Sequence, residues 1–342
     1  MRITFSIYFL GFLGFSRLTS ATAAILKALS EYSNKYYYRG STFFVIISLK
    51  CTRYPYFRRW FPLNNWHISI YAMKHYFETN KRRWNELVTA HTSTGGYDVE
   101  GFLGGKNTPH SIELEGVGDV RDKSLFYLQC YFGLDTLSWA RLGADVTGVD
   151  LSDRAIALAR EIADRADLDA EFINCNLYDL PGQLNRLFDI VYTSYGVICW
   201  LPDIWEWGRL ITRYLRPGGV FYMAEFHPFA WVFDEKHEGD LRIKYSYWEQ
   251  REPDRDIQET AYSAKGYTIQ NKETYSWSHA LSDVMGALLR AGLDIVDYRE
   301  YPFSVEETQF PGMYVDEGGY WKLPGDPIPL MFSLKAMKPN TF

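Results

Sequence analysis

Residues 124–152 (SLFYLQCYFGLDTLSWARLGADVTGVDLS) constrain the fold most, because they predict a strand, a tight turn, a helix and a second strand in close succession. The apolar runs 125–128 and 146–149 suit strands buried on both faces, and the apolar residues of 134–142 recur at helical spacing. Gly133 permits the sharp turn, and Gly143 ends the helix. Such a unit is typical of an α/β fold with a doubly wound, mainly parallel sheet.

An acidic residue follows the second of these strands. Asp150 comes 17 residues after Gly133, close to the offset at which an acid meets the ribose hydroxyls in dinucleotide-binding folds. The turn lacks G-x-G-x-x-G, since Gln129, Cys130 and Tyr131 occupy it. A pyrophosphate needs close approach of the backbone, so this turn predicts a nucleoside cofactor without phosphate groups.

From Asp135 onward, DTLSWARLGADVTGVDLS resembles the class I SAM-dependent methyltransferases, and the LQC-x-FG turn resembles an uncharacterised branch of that family. NCNLYDLP (174–181), FDIVYTSYGVICWLPD (188–203) and LRPGGVFYMAEFHP (215–228) resemble the segments at its third, fourth and fifth strands. Residues 277–303 and 329–339 resemble its last helix and last two strands. The resemblance covers residues 76–339 and implies a Rossmann-like, seven-stranded sheet with an antiparallel last strand.

The resemblance implies S-adenosylmethionine (SAM) as the cofactor and no metal. Asp150 is then the ribose acceptor, Leu151 packs beneath adenine, and Asn176 meets the adenine edge, where many relatives have an aspartate. Asp135 either meets the amino group of the methionine part or caps the first helix. The predicted cofactor-binding residues are Gln129, Cys130, Gly133, Asp135, Asp150, Leu151, Ser152, Asn176, Leu177 and Ser194.

Candidate catalytic residues follow the fourth and fifth strands, where the reacting end of the cofactor is expected. They are Tyr195, Glu225 and His227. Strand alternation predicts Glu225 and His227 on one face, where the pair can relay a proton; alternatively, both hydrogen-bond the loop backbone. A base is needed only if the methyl acceptor is protonated. His279, predicted in the first turn of a helix capped by Ser276 or Ser278, and His110, a surface or lid residue, are weaker candidates.

Charge is uneven along the chain. Residues 1–72 hold nine Lys or Arg and one acid, a net +8, which leaves 27 basic and 41 acidic residues, a net −14, in the remainder. That acidic remainder offers no basic stripe for nucleic acid, so a small-molecule substrate is favoured. The four cysteines show no zinc-like spacing and are expected to be small buried hydrophobes.

The predicted organisation has three parts: an N-terminal extension (1–72), a helical cap (73–123) and a SAM-dependent methyltransferase domain (124–342). The extension resembles a signal peptide with an A-x-A site, but its apolar run is too short to span a bilayer. A dispensable extension, or an upstream start codon before a functional start at Met73, is favoured, because SAM is made and kept inside cells. We therefore expect a cytoplasmic protein without stable membrane association.

Aromatic residues are expected around the site. Trp84, Tyr97 and Phe102 of the cap are candidates for a lid. The segments LRIKYSYW and ETAYSAKGYTIQ of an insertion (228–276) alternate like an antiparallel hairpin. Its aromatic residues are expected to form a substrate wall; they are Trp231, Phe233, Tyr245, Tyr247, Trp248, Tyr262 and Tyr267.

Three functions fit these patterns. The first is transfer of a methyl group from SAM to an O, N or C nucleophile of a small molecule. The second is a SAM-binding protein without turnover, because the altered turn can have abandoned catalysis. An NAD-dependent oxidoreductase, which Asp150 also suits, is disfavoured by the missing glycines.

Overall fold

The computed structural model describes residues 66–94, 97–248, 252–261, 264–305 and 310–340; residues 1–65, Tyr262 and Cys51 lie outside the described residues. The α-helices are α1 (Trp66–Ser93), α2 (Val99–Leu103), α3 (Ser111–Val117), α4 (Leu134–Arg141), α5 (Asp153–Ala166), α6 (Ile204–Tyr214) and α7 (Leu281–Arg290). Five long strands are β1 (Ser124–Leu128), β2 (Asp145–Asp150), β3 (Glu171–Asn174), β4 (Phe188–Ser194) and β5 (Leu215–Phe226).

The remaining strands are β6 (Asp254–Ile257), β7 (Thr260–Ala261), β8 (Ala264–Thr268), β9 (Glu273–Ser276), β10 (Asp294–Tyr301), β11 (Phe303–Ser304), β12 (Tyr314–Val315), β13 (Trp321–Lys322) and β14 (Met331–Met337). Short 3₁₀ turns occur at Leu177–Gly182, Ile198–Trp200 and Ala230–Val232.

One seven-stranded sheet organises the described chain, in the order β10-β14-β5-β4-β1-β2-β3. Strands β1 to β5 pair in parallel, and β14 runs antiparallel to both of its neighbours. This confirms the predicted doubly wound, seven-stranded and mainly parallel sheet with an antiparallel last strand. The chain order reverses between β1 and β4, so the crevice that such sheets use for ligands lies at the carboxyl ends of these two strands.

Both faces of the sheet are covered, which is why its central strands are apolar without alternation. All five residues of β1 are buried. On one face, Trp207 and Tyr214 of α6 pack with Leu288 of α7. On the other face, Trp139 of α4 and Ile156 of α5 join the second core. The two layers hold the strand ends in place around the crevice.

The cap helix α1 is held by the insertion. Asn80 exchanges two hydrogen bonds with the backbone of Tyr275, at 2.7 and 2.9 Å. The buried Arg83 donates to Gln258, and Glu86 accepts the N–H groups of Gln270 and Asn271 at 2.6 and 2.8 Å. The insertion thus fastens the cap to the body of the domain.

The insertion forms two antiparallel pairs, β6 with β9 and β7 with β8. The pair of β7 with β8 lies within the second alternating segment, as predicted, whereas β6 and β9 lie outside both segments. The first segment, LRIKYSYW, contains no described strand and contributes one bridge, from Ile243 to Phe233. Helix α7 begins at Leu281, after Ala280, which cannot cap it with a side chain. His279 therefore precedes the helix, and the prediction that it lies in the first turn is wrong.

The segment that connects β10 to β14 in the sequence forms a second sheet of three strands, in the order β11, β13, β12. This sheet was not predicted. Its segment packs against the chain that follows β5, through Phe310 and Leu323 against Ala230 and Phe233. These elements stand at the end of the sheet that carries the crevice. In the part of the chain that the structure describes, no helix has the length and apolarity that crossing a membrane requires.

Candidate active site

A cavity of about 1180 Å³ opens at the carboxyl ends of β1, β2 and β4. Helix α1 contributes Phe77, Asn80 and Trp84 to its wall, and the chain before β14 contributes Met313 and Trp321. The predicted residues that line it are Gln129, Cys130, Gly133, Asp135, Asp150, Leu151, Asn176, Leu177, Ser194 and Tyr195. These residues come from four separate loops, which the parallel sheet brings to one edge.

The turn after β1 adopts left-handed backbone at three positions. The φ angles are 59° at Gln129, 51° at Tyr131 and 76° at Gly133. Left-handed backbone costs about 1–2 kcal/mol at a residue with a Cβ, so Gln129 and Tyr131 hold the shape that glycine adopts without strain. The turn therefore adopts backbone angles that glycine favours, but it carries two long side chains.

Gly133 is the one position of this turn where a side chain cannot fit. An added Cβ would lie 2.7 Å from the ring of Phe172 and 3.2 Å from the Cβ of Ala159. We expect Gly133→Ala to lower the free energy of unfolding by about 2–4 kcal/mol, from overpacking and backbone strain together. Gly292→Ala is the control, at an exposed glycine with φ of 88° and no atom within 4 Å of the added Cβ, and it should cost about 1 kcal/mol. Equal losses in chemical denaturation would contradict the steric account.

Asp150 stands at the end of β2 and is wrapped by the turn. Its Oδ2 accepts the N–H of Tyr131 at 2.9 Å, and its Oδ1 accepts the N–H of Ser152 at 2.8 Å. Burial raises the pKa of Asp150 to about 6, against these hydrogen bonds, which favour the charged form. A carboxylate offers about four acceptor positions, so each oxygen can accept a further hydrogen bond from the cavity.

Asp135 gathers three hydroxyl groups at the floor of the cavity. Its Oδ1 accepts from Thr108, and its Oδ2 accepts from Tyr127 at 3.1 Å and from Ser194 at 3.4 Å. Gly133 is the N-cap residue of α4, and no side chain makes a capping bond there. Of the two predicted roles for Asp135, the geometry therefore favours contact with a ligand over capping.

A second buried carboxyl, Glu113, was missed from the sequence. Its Oε1 accepts from Tyr192, and its Oε2 accepts from Tyr195 at 2.7 Å and from the backbone N–H of His110 at 2.8 Å. Burial, together with the charge of Asp135, raises the pKa of Glu113 to about 8. His110, predicted to be a surface or lid residue, lines the cavity and contacts the ring of Tyr195 edge-on, with ring centroids 6.1 Å apart.

The one signal of Glu113 in the sequence is local. It stands at the third helical position after His110, as an acid of a capping box does, and it does close that box. A capping acid is ordinarily exposed, whereas Glu113 is fully buried. The two tyrosines that surround it come from β4, about 80 residues further along the chain, so no local pattern could identify it.

Glu225 and His227 do not line the cavity, and the proton relay predicted for them is not formed. Glu225 is 1% exposed and accepts the backbone N–H groups of Val197, Phe226, Gly196 and Ile198. His227 accepts the N–H of Phe229 at Nδ1, which leaves Nε2 to donate to Glu300 at 2.9 Å. The alternative interpretation, in which both side chains hold loop backbone, describes these contacts.

Three further predictions need correction. Ser152 is buried away from the cavity, where it caps α5 by accepting the N–H of Ala155 and donates to Asn85. Phe102 is buried beneath the cap and does not reach the cavity, although Trp84 and Tyr97 do. Among the described aromatic residues of the insertion none lines the cavity, and Trp231 and Trp248 point to solvent, at 48% and 65% exposure.

Cys130 lines the cavity but offers no reactive thiolate. Burial, with the charge of Asp150 nearby, raises the pKa of its thiol well above the ordinary value. Cys175 is likewise buried, and its pKa is raised to about 11. Both thiols stay protonated at neutral pH, in agreement with the predicted role as small hydrophobes.

The charges that line the cavity are all of one sign. Five carboxyl groups face it, and no Lys or Arg of the described chain does so; the acids are Asp98, Glu113, Asp135, Asp150 and Glu235. Trp84 adds an aromatic wall, since its ring meets Trp200 and Tyr131 edge-on at centroid distances of 5.4 and 5.2 Å. Carboxylates and aromatic rings together favour a cationic ligand.

Residues 127–223 match the sequence model of a family described as a methyltransferase domain. The chain is 29% identical over 133 residues to an uncharacterised methyltransferase of Synechocystis sp., covering 38% of this chain and 60% of that protein. It is 24% identical over 183 residues to the uncharacterised methyltransferase YbaJ of Bacillus subtilis, covering 53% and 64%. A ubiquinone biosynthesis O-methyltransferase of Paramagnetospirillum magneticum is 35% identical over 94 residues, covering 27% and 36%.

The chain spans less than two thirds of the length of these curated relatives. Among solved structures, an S-adenosylmethionine dependent methyltransferase from Mesorhizobium loti matches with 21% identity and a TM-score of 0.45, over 65% of this chain and 93% of that one. The match to a methyltransferase domain thus covers residues 127–223, and residues of this stretch line the cavity.

Proposed function

We propose that this chain transfers a methyl group from SAM to a small-molecule acceptor bound in the cavity. The observation that carries the proposal is Asp150, whose carboxylate faces the cavity from the end of β2 within the methyltransferase domain. It can accept both ribose hydroxyls while the turn keeps its two backbone hydrogen bonds. SAM supplies an electrophilic methyl carbon on a positively charged sulfur.

The cavity fits such a ligand at several atoms. Gln129 donates to the carbonyl of Val197 at 3.1 Å, and its buried Oε1 has no hydrogen-bond partner among the described residues, so it can accept from the ligand's amino group. The Oδ1 of Asn176 caps the following 3₁₀ turn, which leaves its NH₂ group for the adenine edge. The five carboxyl groups and the Trp84 wall suit the sulfonium.

The finer parts of the proposal rest on the same residues. We propose the branch on the LQC-x-FG turn alone. Its Gln129 and Tyr131 carry side chains at the turn where a dinucleotide pyrophosphate needs close approach of the backbone. The acceptor is a small molecule rather than nucleic acid, because the lining is acidic. We also propose a cytoplasmic location, where SAM is made.

Titration calorimetry with SAM, S-adenosylhomocysteine and NAD tests the binding half of this proposal. SAM and S-adenosylhomocysteine should bind and NAD should not. Incubation with labelled SAM and a small-molecule extract of cells that express the protein tests the transfer half. Binding without transfer would favour the non-catalytic alternative, and absence of binding to any of the three ligands by the folded protein would refute the proposal.

SAM affinity should depend on pH through Asp150. The carboxylate accepts the ribose hydroxyls only when ionised, and its pKa is about 6 in the free protein. Below pH 6 the free protein holds the proton that binding must expel, so Kd should rise by up to about tenfold per pH unit. Asp150→Asn removes the titrating group and should flatten this part of the profile. A wild-type Kd that is constant between pH 5 and pH 7 would contradict the assignment.

A further inference from the structure

We propose that Glu113 is the final proton acceptor in a relay that begins at the Tyr195 hydroxyl, so that the methyl acceptor is an O–H or N–H group. The inference rests on the proposed methyl transfer and goes beyond it, by assigning a base and a class of acceptor. Tyr195 was a candidate from its place after β4, and Glu113 was not.

The contact that defines the relay is short and buried at one end. The Tyr195 hydroxyl donates to Glu113 Oε2 at 2.7 Å, and both residues line the cavity. The N–H of His110 holds the same oxygen, and Tyr192 holds the other one. Tyr195 therefore stands between the cavity and a carboxylate that is otherwise surrounded by protein.

The backbone on both sides of this contact is fixed. Helix α3, which carries Glu113, is held to the sheet by Tyr222, whose hydroxyl donates to the carbonyl of Ile112 at 2.6 Å, and by Lys335, which donates to the carbonyl of Gly116 at 2.9 Å. Tyr195 has a φ of 43°, and its N–H donates to the carbonyl of Ala224 at 2.9 Å. Fixed positions are what proton transfer within hydrogen-bond distance requires.

The relay lies across the crevice from the cofactor anchor. Asp150 follows β2 and Tyr195 follows β4, with β1 between these strands in the sheet. A ligand whose ribose is held at Asp150 reaches toward Tyr195 with its other end. The acceptor atom thus meets the phenol at the reacting end of the cavity.

The charge environment suits a proton acceptor that works near neutral pH. The titratable groups that face Glu113 are Asp135 of α4, Tyr127 of β1, Tyr192 and Tyr195 of β4, Tyr222 of β5 and His110 before α3. Burial and the charge of Asp135 raise the pKa of Glu113 to about 8, and burial raises the pKa of Tyr195 well above its ordinary value. In the free protein Glu113 therefore holds a proton at neutral pH, and it becomes a proton acceptor when the positive charge of bound SAM expels that proton. The high pKa of Tyr195 makes the phenol a carrier of the proton rather than its final acceptor.

The step balances within these groups. The step starts with SAM bound and Glu113 ionised, its own proton having been expelled to solvent by the positive charge of SAM. The acceptor then gives its proton to the Tyr195 oxygen as Tyr195 gives its own proton to Glu113 Oε2. The electron pair of the broken O–H or N–H bond stays on the acceptor atom and becomes available to the methyl carbon. Because no Lys or Arg of the described chain lines the cavity, a neutral or cationic acceptor fits better than a phosphate or carboxylate.

A binding measurement tests the role of Glu113 without knowledge of the acceptor. SAM brings a positive charge that S-adenosylhomocysteine lacks, and this charge should expel the proton from Glu113. Calorimetry at pH 7.5 in two buffers of different ionisation enthalpy should show more protons released by SAM than by S-adenosylhomocysteine. Glu113→Gln should abolish the difference, whereas Glu115→Gln, at an exposed site on the same helix, should keep it. An equal release by both ligands in the wild type would overturn the proposal.

Transfer from labelled SAM to the cell extract tests the relay itself. Tyr195→Phe and Glu113→Gln should each lower the rate at saturating SAM by about 10²- to 10⁴-fold. Tyr195→Phe should change the Kd for SAM less than threefold, whereas Glu113→Gln should raise it, because SAM binds the ionised carboxylate more tightly than a neutral side chain. The double variant should lose no more than either single variant, because the two groups act as one unit. Losses that multiply, or wild-type rates in both variants, would overturn the relay.

The two proposals fail in different ways. A wild type that neither binds SAM nor labels the extract refutes the methyltransferase function itself. A wild type that does both, while the variants keep its rate, refutes the relay alone. Tyr195→Phe removes one exposed oxygen and keeps the ring, so it carries the test if Glu113→Gln fails to fold.

Discussion

Asp150→Ala should abolish measurable SAM binding at micromolar concentrations. The change removes the charged acceptor of both ribose hydroxyls, and hydrogen bonds to a charged group contribute about 1.5–3 kcal/mol each. A loss of about 3 kcal/mol or more corresponds to at least a 100-fold rise in Kd. Titration calorimetry with SAM at pH 7.5, where Asp150 is ionised in the wild type, measures it.

The controls for this experiment separate binding from folding. Asp150 also holds the N–H groups of Tyr131 and Ser152, so the alanine variant should lose some stability, which a melting curve reports. Asp153→Ala makes the same change of charge three residues away, at an exposed side chain that does not line the cavity. It should bind SAM like the wild type. A folded Asp150→Ala protein with wild-type affinity would mean that the cofactor lies elsewhere.

The sheet could be predicted because its signals are local. The apolar run of β1 is buried on both faces, and Asp150 is recognisable from its distance to Gly133 along one short unit. The sequence pattern that predicts these residues lies entirely within residues 124–152. The strand order then follows from the resemblance to a single fold family, and the pairing of the strands agrees with it.

The acids of the site could not be assigned in the same way. Glu113 and Glu225 both occur beside apolar residues, and only contacts across the fold distinguish them. Two tyrosine hydroxyls and an N–H meet Glu113 at the cavity, whereas four backbone N–H groups enclose Glu225 away from it. Apart from the neighbouring N–H groups of His110 and Phe226, these partners lie about 30 to 80 residues distant along the chain, beyond any spacing rule.

The insertion shows the same limit. Alternation predicts an antiparallel hairpin in 259–270, where β7 pairs with β8, because pairing follows the local period of two. It does not predict what the hairpin covers. The described strands of the insertion hold α1 through Asn80, Arg83 and Glu86, and the aromatic residue Trp321, with Met313, reaches the cavity from a different segment.

Glu225→Gln should destabilise the protein by about 4 kcal/mol, although it changes a single atom of the side chain. Both carboxylate oxygens accept two backbone N–H groups each: Oε1 from Gly196 and Phe226, Oε2 from Val197 and Ile198. The amide group of Gln accepts hydrogen bonds only at its oxygen, so two buried N–H groups lose their acceptor and face an NH₂ group instead. Each unsatisfied N–H group costs about 1–3 kcal/mol of stability. Chemical denaturation measures the loss, with Glu238→Gln at an exposed site as the control.

The same variant decides between the two roles that the sequence allowed for Glu225. Burial raises the pKa of its carboxyl group, and the hydrogen bonds from four backbone N–H groups oppose that shift. A carboxyl group enclosed in this way has a structural role, because no substrate can reach its oxygens. Glu225 accepts the N–H groups of residues 196–198 and so holds the loop that follows Tyr195. The Glu225→Gln change should therefore weaken SAM binding and methyl transfer together with stability. A Glu225→Gln protein with wild-type stability, wild-type SAM affinity and lost transfer would instead indicate that Glu225 is the catalytic base. That result would contradict the assignment of Glu113.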